Sequence, residues 1–531
     1  MIAGATLLSR LFGLVRDAVI ADRFGTSAAY DAYIIAFFIP FVLRRLLAEG
    51  ALQAAFIPIY TGYLAEDREE ADRFASSVLS LLLLLFPALI AVGIWLAPHY
   101  VGFLADGFPP GKLQLAVLLT QVMLPFIGLV GFAAVFTGVL HGQRHFLAPA
   151  LAPVMFNLGV IAGAWLLTTH FAQPIFGLAV GVLLGGGGML LLQVPYLRGR
   201  LRFRFALPLS LDHPGLRRLG WMMLPAVLGL AGEQLNVMVD NKLASHLGDG
   251  AIASLQYAVR LFQLPLGVFA VSISNALLPR LSQLAASGDR RQLGWALQRG
   301  LLLAWAILLP AMAGLYALGR PVIQLLFEHG SFGPEATART LYALRFYLVG
   351  LVGYGSVYTL TKAFYALYDT RTPVLIGLGA VAVNVGLDLA LIGPLGTGGL
   401  ALATSIAGLV NMALLGWALS RRLELNLLRG LARPVLRAAV GAGGMGLLVS
   451  LLYSWLERVL TSELLLVGLP VIFGLGVYLL FARWSGLLRE ALTPLPAPTP
   501  VPTPTTSTST TSTPTPTPTP AAPAPGGTPR E

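Results

Sequence analysis

The sequence predicts an all-α polytopic membrane protein of about 14 transmembrane helices, built as two six-helix lobes with two further helices at the C-terminal side. Three observations carry that prediction. The chain is 56% hydrophobic and only 11% charged, with a mean hydropathy of +0.77, whereas soluble domains carry about 25% charged residues. Apolar windows of about 20 residues recur along most of the length. Finally, the sequence repeats itself: residues 84–107 match 307–330, with Pro87/Pro310, Pro98/Pro321 and Gly107/Gly330 each 223 apart. FNLGV at 156–160 echoes VNVGL at 383–387, and FGLAVG at 176–181 echoes GGLALA at 398–403. The repeat covers six spans, an even number, so both copies share one orientation and are related by an axis along the membrane normal.

In order, the windows place spans near 3–21, 30–58, 75–97, 114–140, 148–170, 174–196 and 218–243. The remaining seven fall near 252–280, 294–319, 339–365, 373–393, 398–419, 433–455 and 463–482. The N-lobe is therefore expected at 1–197, a basic linker at 198–217, the C-lobe at 218–420 and the two added spans at 421–485. A Pro/Thr-rich tail at 486–531 lacks the composition for a core and is expected to be disordered. Arginines set the orientation. The connection after span 6 holds Arg198, Arg200, Arg202, Arg204, Arg217 and Arg218, and the one after span 12 holds Arg421, Arg422, Arg429 and Arg433. Odd-numbered connections are poor in basic residues, which puts both termini in the cytoplasm. The acidic connection after span 2 does not follow this pattern.

Several classes of chemistry are excluded. There is no cysteine, hence no disulfide, thiolate metal site or Cys nucleophile. No HExxH, Walker A or nucleophile-elbow motif occurs, and the chain is expected not to be an enzyme. The net charge of +11 is nearly all arginine, since Lys112, Lys242 and Lys362 are the only lysines. In a membrane protein that excess reports topology, not nucleic-acid binding. His141 and His145 lack a third ligand, and the Gly run at 185–188 reads as a helix-packing feature.

What remains are charges inside the spans. Arg10, Arg16, Asp17, Asp31, Arg44, Arg45 and Glu49 lie in the first two, and Arg260 stands alone among apolar residues of span 8. A charge at mid-bilayer costs roughly 3 kcal/mol or more, so such residues face a wet cavity or a partner. Clustered arginines suit a phosphate, whose oxygens the planar fork grips two at a time. Both lobes offer arginine at comparable depth, so a cavity between them is cationic; the alternative is snorkelling or pairing with nearby carboxylates. In the second lobe, Asp388 has Asn384 one turn before it, with Asp240 ending span 7 and Thr404 inside span 12. Hard oxygen ligands from three spans suit a small hard cation. The competing readings are a hydrogen-bonded pair joining helices or a proton site.

The stretches SRLFGLVRDAVIADRFG and DAYIIAFFIPFVLRRLLAEGALQAAFIPIY resemble the signature of the MurJ (MviN) family. That family comprises the lipid II flippases of the multidrug/oligosaccharidyl-lipid/polysaccharide exporter superfamily. The resemblance runs to about residue 485. It implies fourteen spans, two lobes around a central cavity, and a groove along the last two spans for a polyprenyl tail. By resemblance the functional arginines fall on Arg10, Arg16, Arg44 and Arg260, with Ser9, Asp17, Asp31, Glu49 and Asn157 lining or shaping the cavity. A sodium site in some members matches Asp240, Asn384, Asp388, Thr404 and the Leu400 carbonyl. Two departures, Val259 and Phe41, bear on the finer electrostatics. Members of the family usually begin a few residues earlier, so the start at Met1 is expected to be clipped or misassigned.

The resulting expectation is transport of lipid II from the inner to the outer leaflet of the bacterial cytoplasmic membrane by alternating access, for peptidoglycan synthesis. No cofactor is expected other than sodium. The partners are lipid II, membrane lipid and cell-wall synthesis proteins. Alternatives are a flippase for another polyprenyl-diphosphate glycan, a drug exporter of the same superfamily, or a membrane-embedded polyprenyl-phosphate enzyme. A drug exporter calls for an apolar or acidic cavity. The enzyme needs a catalytic carboxylate set, for which only the acidic run at 67–72 is available.

Overall fold

A computed structural model of the chain describes residues 2–48, 51–197, 211–427 and 429–492, and all the regular structure among them is helical. The N-lobe comprises α1 (Ile2–Phe24), α2 (Ala28–Ala48), α3 (Ala51–Glu66), α4 (Arg68–Leu104), α5 (Pro110–Met123), α6 (Phe126–Gly142), α7 (Leu147–Ala162) and α8 (Ile175–Pro195). The C-lobe comprises α9 (Pro214–Ala244), α10 (Ala251–Pro265), α11 (Val271–Ala286), α12 (Arg290–Phe327), α13 (Pro334–Val349), α14 (Leu351–Ala366), α15 (Arg371–Leu395) and α16 (Thr397–Leu423). Then come α17 (Ala432–Leu456), α18 (Glu463–Trp484) and the short α19 (Leu487–Leu492).

Three expected spans are broken in the middle. Pro125 has no N–H to continue α5 into α6, and Gly350 separates α13 from α14. After Pro265 a π-helical turn, Leu266–Ala270, joins α10 to α11. The junction of α2 and α3, with Glu49, lies outside the described residues. α5–α6, α10–α11 and α13–α14 therefore each count as one interrupted rod. Among the described residues, ten helical stretches are long and apolar enough to cross a membrane, by length and composition. The charged α1 and α2 are outside that set, as their sequences require.

The lobes are tied internally by close helix contacts. Gly159 on α7 and Gly163 just after it meet the backbone of Gly185 and Gly181 on α8, an approach that any Cβ would block. The glycine run at 185–188 thus begins with a packing residue, as its sequence suggests. α17 lies along α12 through Leu302, Leu318, Ala442 and Met445, and Gly474 of α18 sits against Val449 and Met445. α19 extends order beyond the boundary expected at 485, anchored by Glu490 on Arg437 at 3.2 Å. Of the tail, residues 493–531 lie outside the described set.

We call the end where α1 begins the near end, and the end where α1 turns into α2 at Gly25 the far end. α9 belongs to both lobes. It starts at Pro214, inside the expected linker, whose residues 198–210 are outside the described set. At its start the His213 Nδ1 accepts from the Gly215 N–H at 3.0 Å, and the ring stands edge-on to Tyr63. Leu219 joins the apolar cluster of α3, α4 and α6 in the N-lobe. Its other end runs beside α15 of the C-lobe.

Candidate functional site

α1 packs mainly on α7, and its charged residues meet both α7 and the opposite lobe. Arg16 holds Asp17 through two nitrogens, Nε at 3.0 Å and Nη2 at 2.6 Å, and donates from Nη1 to Asn157 Oδ1 at 3.1 Å. Asn157 in turn donates to the carbonyl of Ser9 at 3.1 Å. The other Asp17 oxygen is 3.5 Å from Nε of Arg260, on α10 of the opposite lobe. One carboxylate thus sits between two guanidinium groups from two lobes. Arg10 also crosses the boundary, donating to the Gly267 carbonyl at 3.0 Å inside the π turn. A π turn disturbs the regular bonding of its carbonyls, which makes Gly267 available there.

Arg44 lies next to this cluster, with its guanidinium 4.7 Å from the centre of the Phe156 ring, adjacent in sequence to Asn157. It lines a cavity of about 450 Å³ with Thr6, Gln53, Thr137 and His141. Ser9, Arg10, Arg16, Asp17, Asn157 and Arg260 are therefore brought together, and Arg44 stands one aromatic ring away. Glu49 lies outside the described residues.

Asp31 is a correction. Counted with the cavity residues from the sequence, it is instead fully buried at the far end. Its Oδ2 accepts from Lys112 Nζ at 2.8 Å and from the Gly250 N–H at 2.7 Å, and its Oδ1 accepts from the Ala253 N–H at 2.8 Å. Gly250 and Ala253 open α10, so an N-lobe carboxylate caps a C-lobe helix, where the N–H groups and helix dipole favour a negative charge. Lys112 bridges onward to Asp249 of the C-lobe at 2.8 Å.

Two further contacts close the same end. Lys242 and His246, at the end of α9, hold Asp106 at 2.8 and 2.9 Å, and the Gly107 N–H donates to Ser245 Oγ at 3.1 Å. The bond from Lys242, with His246 beside it, keeps the Asp106 carboxyl below the usual carboxylate range. On the other side, the Ser331 N–H donates to the Asp22 carbonyl at 2.7 Å and its hydroxyl to the Arg23 carbonyl at 3.1 Å. Sequence reasoning misses this closure. Its signal is the scarcity of lysine: two of the three lysines, Lys112 and Lys242, are lobe-to-lobe bridges.

In the C-lobe, Asn384 Nδ2 donates to Asp388 Oδ2 at 2.9 Å, and Asn236 Nδ2 lies 3.4 Å from Asp240 Oδ2. The Asp240 and Asp388 carboxyls are close enough for the charge of Asp388 to act on Asp240. Their Oδ1 atoms, and that of Asn236, are buried without a hydrogen-bond partner. Thr404 spends its hydroxyl on the Leu400 carbonyl at 3.0 Å, within α16. Among the described residues no three His, Asp or Glu side chains converge. The donor set here is two carboxylates plus amide oxygens.

A family model described as lipid II flippase MurJ matches residues 20–472. The chain belongs to the lipid II flippase MurJ family. It is 32% identical over 498 residues to a probable lipid II flippase MurJ of Vibrio cholerae, covering 90% of this chain and 95% of that one. A solved structure of lipid II flippase MurJ in an inward-closed conformation superposes with a TM-score of 0.77 at 28% identity. It covers 91% of this chain and 98% of that one. A multidrug resistance transporter of the MATE family in an inward-facing conformation shares the fold, with a TM-score of 0.66 at 19% identity. It covers 80% of this chain and 96% of that one.

Proposed function

We propose that this protein moves lipid II across the cytoplasmic membrane by alternating access, its arginines gripping the diphosphate. The observation that carries this reading is Asp17 shared by Arg16 and Arg260 across the lobe boundary. A carboxylate and a phosphate oxygen make the same charge-assisted contact with a guanidinium. An arriving diphosphate can therefore take over Arg16 and Arg260 while Asp17 keeps them apart and oriented until then. Arg10 and Arg44 add charge on either side. An arginine-lined boundary disfavours a cationic drug as cargo and favours an anionic head.

In this reading the near end, with both described termini, faces the cytoplasm. The far end is sealed toward the outside by Asp31 on the start of α10, by Asp106–Lys242 and by Ser331. The arrangement is the one that receives substrate from inside. Transport then requires the far-end bonds to break while the near end closes, with the polyprenyl tail remaining in lipid beside α17 and α18. Their outer faces, with Leu447, Ile472 and Leu480 exposed, suit that contact.

We also propose that the Asp240–Asp388 pair holds sodium. Two carboxyls this close share a proton or enclose a cation, and the unpartnered Oδ1 atoms of Asp240, Asp388 and Asn236 fit a hard monovalent ion. Because α9 starts on the N-lobe and carries Asp240 at its other end, an ion there acts on the helix that spans both lobes.

The test is complementation of a flippase-depleted bacterium, read together with appearance of the lipid II headgroup on the outer face. Arg16→Ala, Arg44→Ala and Arg260→Ala are each expected to fail while inserting normally, and Arg→Lys to fail at Arg16, which makes two-pronged contact. Full activity of all three alanine variants at normal expression disproves the grip.

A further inference from the structure

Between α12, α14 and α16, at the near end of the C-lobe, lies a cavity of about 590 Å³. That is within the range of sites that take a small ligand. It shares no residue with the arginine cluster or the carboxylate pair. Its interior is apolar, with Leu301, Leu360 and Met412 on three sides. Trp305 adds an indole whose N–H is already spent on Ser356 Oγ at 2.6 Å. The polar groups that also line it, Ser420, Glu424 and Asn426, come from the end of α16 and the residues after it, so the part formed by Leu301, Leu360 and Met412 suits an apolar chain better than a polar guest.

The mouth is different. Trp417 and Arg421 are one turn apart near the end of α16, both exposed, with the guanidinium 4.5 Å from the centre of the ring. The carboxylates nearby are occupied: Glu424 pairs with Arg290 at 3.1 Å, and Asp369 with Arg422. Among the described ion pairs none involves Arg421, so its charge is available. An aromatic and a basic residue in the last turns of a spanning helix stand where lipid headgroups lie.

The N-lobe shows how such a space is closed. There Gln193, fully buried, ties α8 to α6 by accepting from Thr137 at 3.0 Å while its amide faces the Ala133 carbonyl. In the C-lobe the corresponding helices, α16 and α14, leave a gap instead. Gly416 lines it, and a Cβ added there would meet nothing within 4 Å.

We infer that this cavity holds one anionic phospholipid of the leaflet at the near end, with an acyl chain inside and the phosphate at Arg421. The apolar interior selects an amphiphile over a soluble anion. The unpaired guanidinium selects an anionic head over a zwitterionic one, whose own cation would face Arg421. A bound lipid would wedge α12, α14 and α16 at the end where the loop to α17 departs.

The test is native mass spectrometry of the full chain in detergent, titrated with phosphatidylglycerol or phosphatidylcholine. The expected result is one phosphatidylglycerol bound more tightly than phosphatidylcholine. Arg421→Gln should weaken it about fivefold and reduce the preference, and Gly416→Leu should weaken both lipids by filling the chain site. Arg421 is exposed, so its variant folds even if the leucine is poorly tolerated. Equal affinity for the two lipids in the unmodified protein overturns the inference, as does unchanged phosphatidylglycerol binding in Arg421→Gln. Displacement of phosphatidylglycerol by an equal concentration of polyprenyl phosphate would assign the cavity to the substrate's tail and also overturn it.

Discussion

Asp31→Asn is the substitution whose consequence follows most directly from the geometry. The carboxylate is wholly buried and accepts from an ammonium and two backbone N–H groups at 2.7–2.8 Å. An asparagine keeps one oxygen and replaces the other with an NH₂, so at least one of the three donors then faces a donor. Lys112, only 5% exposed, loses the partner it has inside and keeps only Asp249, which is largely exposed. Breaking a buried ion pair by removing one member costs about 3–5 kcal/mol. Two of the three donors to Asp31 belong to the opposite lobe, and Lys112 itself reaches across to Asp249. Much of the cost therefore falls on the closed far end. Even about 1.4 kcal/mol of it shifts the balance of closed to open about tenfold.

The chain has no cysteine, which makes the assay clean. Ser245→Cys places a single thiol at a position 2% exposed in the closed far end, in a contact separate from Asp31. Labelling by a membrane-impermeant maleimide should be slow in that background and about tenfold faster once Asp31→Asn is added. Adding Lys112→Met as well removes the stranded ammonium and should recover part of the loss, by about 0.5–3 kcal/mol of coupling. Equal labelling with and without Asp31→Asn, at equal expression, refutes the reasoning.

Other outcomes follow from the same structure. Gly330→Ala should loosen the far end more than Gly107→Ala, because Gly330 has φ +53° as well as a blocked Cβ position; thiol labelling at Ser245→Cys reads both. The depressed Asp106 carboxyl contributes stability that is present above the ordinary value of about 3.9 and is lost as pH falls through its lower folded value. The difference in melting temperature between the unmodified protein and Asp106→Asn should therefore shrink on acidification to about pH 3; a constant difference contradicts it. Sodium, compared with potassium or choline at fixed ionic strength and pH, should stabilise the purified protein in a saturable way. That response should vanish in Asp388→Asn and in Asp240→Ala, and its absence in the unmodified protein leaves the pair as a proton site or a link between helices.

Much of the architecture is legible in the sequence alone. Composition and apolar windows give the spans, because a bilayer imposes length and polarity so strictly. The arginine cluster is legible for the same reason: charge inside a span is too costly to be incidental. Asp31 is misplaced by sequence reasoning because its charge, read on the helix alone, looks like that of Asp17. Only the fold shows that Asp31 meets the start of α10 and Lys112, distant in sequence. The break at Gly350 and the π turn after Pro265 are invisible for a different reason. Both sit inside continuous apolar windows, and hydropathy reports burial in lipid without reporting how the backbone bends.

The repeat carries one consequence that neither lobe shows alone. Its register of 223 residues, read from Pro87/Pro310 and Gly107/Gly330, also relates Asp22 to Ser245 and Gly25 to Gly248, both glycines having positive φ. Gly107 of the N-lobe packs on Ser245 at the end of α9, and Gly330 of the C-lobe packs on Asp22 at the end of α1. Each lobe therefore lays the same turn against the end of the other lobe's first helix. A seal made of two related halves about one axis cannot open at one half alone unless a lobe tilts out of that symmetry. Rotation of the lobes about an axis in the membrane plane breaks both halves together, along with the bonds from Asp31 to the start of α10 between them. Lys112 and Lys242 fall within this seal and outside the arginine cluster. The lobe-to-lobe side-chain ion pairs of the far end are thus made by ammonium groups, whereas those at the arginine cluster are made by guanidinium groups suited to a planar anion.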